Sequence, residues 1–206
     1  MDKPKIKLSS NGSIKITSLK TLHFTKQPLQ ELSKEKTILC GCGASKKKPY
    51  CDGMHARVNF ISKKSEDRVS SKDKNYYGDE ITVHFDLAAC GHIGICIRKL
   101  PEVFDVNKRP WINADGSKVE EIVNIVRACP AGALSYTLKG QERVDSFDSE
   151  PKVIVNHHGW IEVWGSIELE GTEAPKVQDH YILCGCGKSK NHSYCDGSHW
   201  KKIKTI

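Results

Sequence analysis

The nine cysteines of this 206-residue chain fall into three groups of three, and this grouping constrains the fold more than any other feature. The groups are Cys40, Cys42 and Cys51; Cys90, Cys96 and Cys129; and Cys184, Cys186 and Cys195. An odd number of cysteines fits a disulfide framework poorly. Thiols clustered in short segments are typical of metal ligands, so we expect three metal sites in a chain whose hydrophobic content is only 38%.

The first and last cysteine groups belong to an internal repeat. Each reads Cys-Gly-Cys, then Cys-Asp-Gly, then a histidine, and the ligand spacing is identical from Cys40 to His55 and from Cys184 to His199. Upstream, residues 4–16 align without gaps with residues 151–163. In both copies apolar residues alternate around a glycine, which predicts a β-hairpin, and a further strand at 37–39 or 181–183 leads into the Cys-Gly-Cys loop.

Three sulfurs and an imidazole in each copy could bind a tetrahedral metal, and zinc is the simplest candidate. Structural zinc sites usually take paired cysteines as Cys-x2-4-Cys, whereas these pairs are Cys-x-Cys. The whole pattern resembles the CDGSH iron-sulfur (NEET-type) family. The resemblance implies one [2Fe-2S] cluster held by Cys40, Cys42, Cys51 and His55, and a second held by Cys184, Cys186, Cys195 and His199. The copies depart from the family pattern at Met54 and at Ser193, neither of which is a ligand position.

The histidine in each set has two expected consequences. Replacing a thiolate by a neutral imidazole makes the bound cluster less negative, so its reduction potential should exceed that of an all-cysteine site. A ligating imidazole must also be unprotonated, so we expect acid to loosen the cluster below the ordinary histidine pKa of about 6.5. Asp52 and Asp196 are expected to cap the short helix that carries the histidine.

The central segment has a different pattern. A strand at 81–85 runs into Cys90 and Cys96, and a helix with an apolar stripe ends just before Cys129-Pro130, with Ser117 and Glu120 as an expected capping box. A closing strand follows at 135–138. The segment also contains the motifs Leu-Pro-x-Val-Phe, Arg-Pro-Trp-Ile and Cys-Pro-x-Gly-Ala-Leu. With these motifs, residues 78–139 resemble the divergent mono-cluster ferredoxins. The resemblance implies a ferredoxin-like module of the βαββαβ type.

Only three thiolates are available to this central site, because Ile93 stands where a bacterial ferredoxin supplies a further cysteine. Cys90, Cys96 and Cys129 could therefore hold a [3Fe-4S] cluster, or a [4Fe-4S] cluster whose fourth ligand is His92, water or an exogenous group. Two alternatives remain open. His92 could instead donate a hydrogen bond near the cluster, and the three cysteines could be buried structural residues.

The formal net charge is +7, with both signs spread along the chain. Lys46, Lys47 and Lys48 lie between ligands of the first copy, where they could attract an acidic redox partner or simply face solvent. We expect no nucleic-acid partner, because no Lys/Arg-rich helix or aromatic RNA-binding motif accompanies the charge. We also expect no membrane span and, without a secretion signal, a cytoplasmic location.

The sequence thus predicts an α+β protein of three modules: a β-rich CDGSH module at 1–62, a ferredoxin-like domain at 76–140 and a second CDGSH module at 151–206. The two CDGSH modules should pair around a pseudo-twofold axis, within one monomer or in a homodimer. The predicted function is single-electron transfer to and from redox partner proteins, with no enzymatic activity. The alternative is a cluster donor to apo-acceptors, or a redox or iron sensor.

Overall fold

The computed structural model of the protein describes residues 3–26, 30–31 and 36–200. Within this part of the chain the secondary structure consists of three small β-sheets and three short helices, so the protein is of the mixed α+β class that the sequence predicts. None of the helices in these ranges is long and apolar enough to cross a membrane.

The two copies of the repeat fold alike. In the N-terminal copy β1 (Lys5–Leu8) and β2 (Ser13–Thr17) form the predicted hairpin, and β5 (Lys36–Cys40) pairs with β2. In the C-terminal copy β10 (Lys152–Val155), β11 (Trp160–Trp164) and β13 (His180–Cys184) repeat these pairings. The hairpin turns contain Gly12 and Gly159, whose φ angles of 79° and 101° favour glycine. The predicted hairpins and the strands that lead into the Cys-Gly-Cys loops are therefore confirmed.

Each copy donates one strand to the sheet of the other copy. β3 (Thr21–Phe24) lies parallel to β10, and β12 (Glu168–Glu170) lies parallel to β1. A two-residue strand β4 (Gln30–Glu31) extends the C-terminal sheet beyond β3. The exchanging strands hold equivalent positions in the repeat, and each follows a residue of positive φ, Ser18 or Gly165. The two copies thus pair within one chain, as the pseudo-twofold hypothesis predicts.

The exchange gives the two copies one common hydrophobic core. Fourteen buried residues from both copies form a single cluster, to which Leu22 of β3 and Val153 of β10 contribute fully buried side chains. Each Å² of apolar surface buried in this core contributes roughly 25 cal/mol to stability. Because neither sheet is complete without the other copy's strand, the core stabilises both copies together.

The central module is a four-stranded antiparallel sheet with two helices. Its elements in chain order are β6 (Asp73–Tyr77), β7 (Ile81–Asp86), α2 (Ile95–Lys99), α3 (Val119–Arg127), β8 (Leu134–Leu138) and β9 (Arg143–Val144). The sheet order is β6-β7-β8-β9. This ββααββ order differs from the predicted βαββαβ order in two ways. β6 and β9 form within stretches too polar to suggest strands, and the segment between α2 and α3 forms an isolated bridge, Phe104 with Ile112, instead of strands. In β6 only Tyr76 is buried.

Helix α3 carries the predicted apolar stripe but begins differently. Ile122 and Val126 are buried, and Val119 and Val123 pack against the same core. The predicted capping box of Ser117 and Glu120 is wrong, because the carboxylate of Glu121 accepts hydrogen bonds from the Ser117 hydroxyl and the Lys118 main-chain N–H. The helix begins at Val119, which places Glu121 rather than Glu120 at the third helical position.

Candidate metal centres

In the N-terminal copy, β5 ends at Cys40 and delivers the chain into a tight loop that returns at Cys42. The two Sγ atoms lie 3.6 Å apart. The main-chain N–H of Cys51 donates to the carbonyl of Ile38, which brings the third cysteine back beside the same strand. Its Sγ lies 3.4 Å from Nδ1 of His55, which sits in the first turn of the one-turn helix α1 (Met54–Arg57). The four predicted ligands therefore form two adjacent pairs.

The C-terminal copy repeats this geometry. Cys184 and Cys186 place their Sγ atoms 3.6 Å apart, and Cys195 Sγ lies 3.2 Å from Nδ1 of His199. The main-chain N–H of Cys184 donates to the carbonyl of Ser193 at 2.8 Å, as that of Cys40 does to Pro49. The serine at position 193 thus keeps the main-chain contact that its proline counterpart makes.

The aspartate of each Cys-Asp-Gly segment pins the loop around the site. The Asp52 carboxylate accepts main-chain N–H bonds from Lys46 (2.8 Å) and Met54 (3.1 Å). Asp196 accepts the equivalent bonds from Lys190 (2.8 Å) and Ser198 (3.0 Å). The Lys46 N–H, foremost, lowers the pKa of Asp52, so this carboxylate stays ionised at neutral pH. The predicted helix-capping role is met only in part, because Gly53 rather than Asp52 is the N-cap residue of the one-turn helix and the described residues of the C-terminal copy form no α-helix there.

The two ligand sets differ in their exposure. Cys195 and His199 are each only 1% exposed, whereas Cys51 and His55 are half-buried. Burial lowers the pKa of His199 to about 4. Its imidazole is therefore neutral at pH 7, the state that a metal ligand requires.

The buried histidine lies inside an aromatic enclosure. The rings of Trp160 and Trp200 lie with centroids 4.7 Å and 4.9 Å from that of His199, and His158 packs against both tryptophans. The sequence patterns described above do not connect Trp160 or Trp200 with the histidine. The available signal was the difference between the aligned copies, since Ser13 and Ala56 occupy the equivalent positions in the first copy.

The donor sets fit a metal group with two ligand pairs. Two sulfurs bound to one tetrahedral metal at about 2.3 Å lie about 3.8 Å apart, close to the observed 3.6 Å separations. Within the described residues, no three His, Cys, Asp or Glu side chains form a group that could hold a single metal ion. Each copy therefore presents a Cys-Cys pair and a Cys-His pair rather than one four-ligand centre.

The three central cysteines line one small cavity of about 40 Å³. Cys90 follows β7, Cys96 lies in the first turn of α2, and Cys129 follows the C-terminus of α3. Burial raises the pKa of Cys90 to about 12 and that of Cys96 to about 11, and it raises the pKa of Cys129 as well. Buried thiolates without a counter-charge are costly, so these three thiols suit a group of several irons, such as an iron-sulfur cluster, rather than a single metal ion.

His92 lies between the central and C-terminal sites. Its φ is 52°, its main-chain N–H donates to Cys90 Sγ at 3.4 Å, and its carbonyl accepts the indole N–H of Trp200 at 2.8 Å. Its ring lies against Gly197. The hydrogen bond that it donates near the central site therefore comes from the main chain, and its role as a fourth ligand stays a prediction.

Comparison with known proteins assigns the three segments to two kinds of domain. The model of the "Iron-binding zinc finger CDGSH type" family matches residues 11–56 and 158–200, and the "Divergent 4Fe-4S mono-cluster" model matches residues 76–139. The uncharacterised protein YjdI of Escherichia coli K12 is 39% identical over 64 residues, which span 31% of this chain and 84% of YjdI. The protein of the same name from E. coli O157:H7 matches equally. No solved structure matches the chain. The chain is therefore an iron-sulfur protein of the CDGSH and divergent 4Fe-4S mono-cluster families, with two CDGSH domains flanking one mono-cluster domain.

Proposed function

We propose that the protein is a one-electron carrier that acts between partner proteins and has no enzymatic activity of its own. The observation that carries this proposal is the enclosure of the C-terminal ligands. Cys184, Cys195 and His199 are at most 1% exposed, and two tryptophans cover the histidine. A carrier must retain its redox group through many cycles, and buried ligands of this kind exclude the water and acceptor thiols that would remove it.

We propose a [2Fe-2S] cluster in each CDGSH domain and a [3Fe-4S] or [4Fe-4S] cluster in the central site. The two-pair geometry of each CDGSH set supports a two-iron group over a single zinc ion. Within the described residues, the four ligand atoms of a set do not surround one position where a single ion could bind all of them. These clusters would supply one-electron redox chemistry. The chain contributes thiolates, neutral imidazoles and a dry environment, all of which influence the potential.

Partner proteins would dock at the N-terminal site. Its Cys51 and His55 are half-buried, and Lys46 and Lys47 beside them are exposed. A basic rim around a partly open site favours an acidic partner, whose approach would be accelerated at low ionic strength.

The same open site favours a second function, donation of a cluster or sensing of redox state or iron. A Cβ placed on Gly53 would have no heavy atom within 4 Å, so the loop between Cys51 and His55 borders open space. An acceptor thiol could reach the N-terminal ligands more readily than those of the C-terminal site. Under this alternative the two CDGSH domains would differ in how fast they lose their clusters.

The deciding experiment measures the iron and sulfide content of the protein, its reversible reduction and the transfer of its clusters. Anaerobically reconstituted protein should contain iron and acid-labile sulfide and be reduced and reoxidised reversibly with its visible spectrum recovered. Cys51→Ser, Cys129→Ser and Cys195→Ser should each remove the iron of one site and leave the iron of the other two. Zinc without sulfide would overturn the cluster assignment. The donor function would be favoured over the carrier if iron and sulfide pass to an apo-ferredoxin faster than the protein is reversibly reduced. This transfer should be abolished by Cys51→Ser.

A further inference from the structure

The two CDGSH sites touch through their Cys-Gly-Cys-Gly loops. A Cβ on Gly43 would lie 2.0 Å from the carbonyl oxygen of Cys186, and one on Gly187 would lie 2.1 Å from that of Cys42. Real Cβ atoms do not approach so closely, so the main chains of the two loops face each other directly. The Cys-Cys side of each CDGSH site is therefore the side turned toward the other copy.

The opposite side of the C-terminal site faces the central module. Gly91, next to Cys90, is buried, and a Cβ there would lie 2.0 Å from Cδ1 of Ile182 and 3.7 Å from Sγ of Cys195. A buried apolar cluster contains Cys195, with Cys90 and Cys129 packed against it.

A second contact closes this junction beside the histidine ligand. Gly197 lies against the ring of His92, since a Cβ at position 197 would be 2.6 Å from His92 Cδ2. The indole N–H of Trp200 donates to the His92 carbonyl at 2.8 Å. Gly197 and Trp200, which lie before and after His199 in the chain, thus both contact the loop that carries Cys90.

We propose that Gly91, Gly197 and Trp200 are positioning residues that hold the central and C-terminal sites in contact as one coupled pair, with the N-terminal site joined only to the C-terminal site. This inference rests on the proposed redox function and adds an order to it: central, C-terminal, N-terminal. The Cys-His side of the N-terminal site faces open space instead, as the empty surroundings of Gly53 show.

The coupling has a physical basis in the dry junction. A one-electron reductant such as dithionite gives up one electron and is oxidised, and one site gains that electron without a bond forming or breaking. The added negative charge lies across an apolar layer from the neighbouring site, where charges interact more strongly than in water. Reduction of either member of the pair should therefore make reduction of the other harder.

Electron paramagnetic resonance of the reconstituted protein tests this order. In fully reduced protein the central and C-terminal sites should interact magnetically, so that the signal of at least the C-terminal site is split or broadened by its neighbour. The interaction should persist in Cys51→Ser, which removes the N-terminal group, and disappear in Cys195→Ser, which removes the C-terminal one. Its absence from the wild type, or its persistence in Cys195→Ser, would overturn the inference.

A matched pair of glycine variants tests the positioning role. Gly197 and Gly53 hold the same place in the two copies, with φ of 83° and 84°, so alanine strains the backbone equally at both. Only at position 197 would the new Cβ meet His92. Gly197→Ala should weaken the interaction at unchanged iron content, and Gly53→Ala should not. Equal effects would refute the role of Gly197.

Trp200→Phe provides a second variant should Gly197→Ala fail to bind iron, because it removes the hydrogen bond to His92 and keeps an aromatic ring. A weakened interaction and a shifted potential of the central site are expected, and unchanged values of both would contradict the inference. Reversible reduction of three uncoupled sites would overturn this inference and leave the carrier function standing. Irreversible reduction of all sites would overturn the carrier function itself.

Discussion

Trp160 packs against the predicted ligand His199 with ring centroids 4.7 Å apart, while the equivalent position of the other copy is Ser13. Both residues begin the second strand of a hairpin, and each pairs with the first cysteine of its site, Trp160 with Cys184 and Ser13 with Cys40. This substitution at one register position is one of the two, with Ala56 in place of Trp200, that leave the N-terminal site less enclosed although its ligand spacing is identical.

Trp160→Ser should make the C-terminal site resemble the N-terminal one. Trp160 is only 4% exposed, so truncation should lower the free energy of unfolding by about 3 to 5 kcal/mol and admit water to His199. We expect faster loss of iron from that site to a chelator, measured by visible absorbance. The half-buried Trp164, on the same strand, stacks on His180 rather than on a ligand. Trp164→Ser is therefore the matched control, and equal acceleration by both variants would contradict the role of Trp160.

Leu22→Ala should destabilise both CDGSH copies together. Leu22 is fully buried, and it lies in the N-terminal strand that pairs with Val153 of the C-terminal copy. The expected loss is about 2 to 5 kcal/mol, seen as a lower urea midpoint of a single transition. Val69→Ala, at a 52% exposed position, should leave the midpoint nearly unchanged. Two separate transitions, only one of them shifted, would show that the copies fold independently.

Acid should weaken the junction between the central sheet and the C-terminal copy. Lys176 contacts the carboxylates of both Asp73 and Asp86, and Asp86 is only 2% exposed. Arg143, foremost, with Lys176, lowers the pKa of Asp73 to about 2. Because this folded-state pKa lies below the unfolded value of about 3.9, its stabilisation is present above about pH 4 and lost as the pH falls through about 2.

The measurement is the urea midpoint of wild type and Asp73→Asn at several pH values from about 5 to about 2. The variant should be less stable than wild type at the upper end, and the difference should vanish at the lower end. Asp148→Asn, at an exposed position, is the control. A constant difference across the range would show that the charge of Asp73 does not contribute.

The C-terminal site should withstand acid better than the ordinary histidine pKa suggests. Burial lowers the pKa of His199 to about 4, so protons compete for its ring only near that pH rather than near about 6.5. In Cys51→Ser protein, which keeps the C-terminal set, visible absorbance should persist to about pH 5. His199→Cys in that background should change both the acid profile and the reduction potential. An unchanged profile and potential would exclude His199 as a ligand.

Much of this protein could be predicted from local sequence patterns. The cysteine spacing and the two histidines predict two sets of side chains that the structure brings together, and the glycine-centred alternation predicts both hairpins. These features depend on neighbours within a few residues, so they can be predicted without knowledge of the fold. The ends of the central sheet were missed, because β6 and β9 are polar edge strands that form only when β7 and β8 offer them pairing partners.

The sequence by itself determined which side chains can bind metal, because ligand type and spacing are local chemical properties. Only the tertiary structure decided how the three sites are arranged. The reciprocal placement of β3 and β12, the burial of His199 under Trp160 and the contact of Gly91 with Ile182 all join residues far apart in the chain. Such contacts arise from the packing of complete sheets, so no local pattern in the sequence records them.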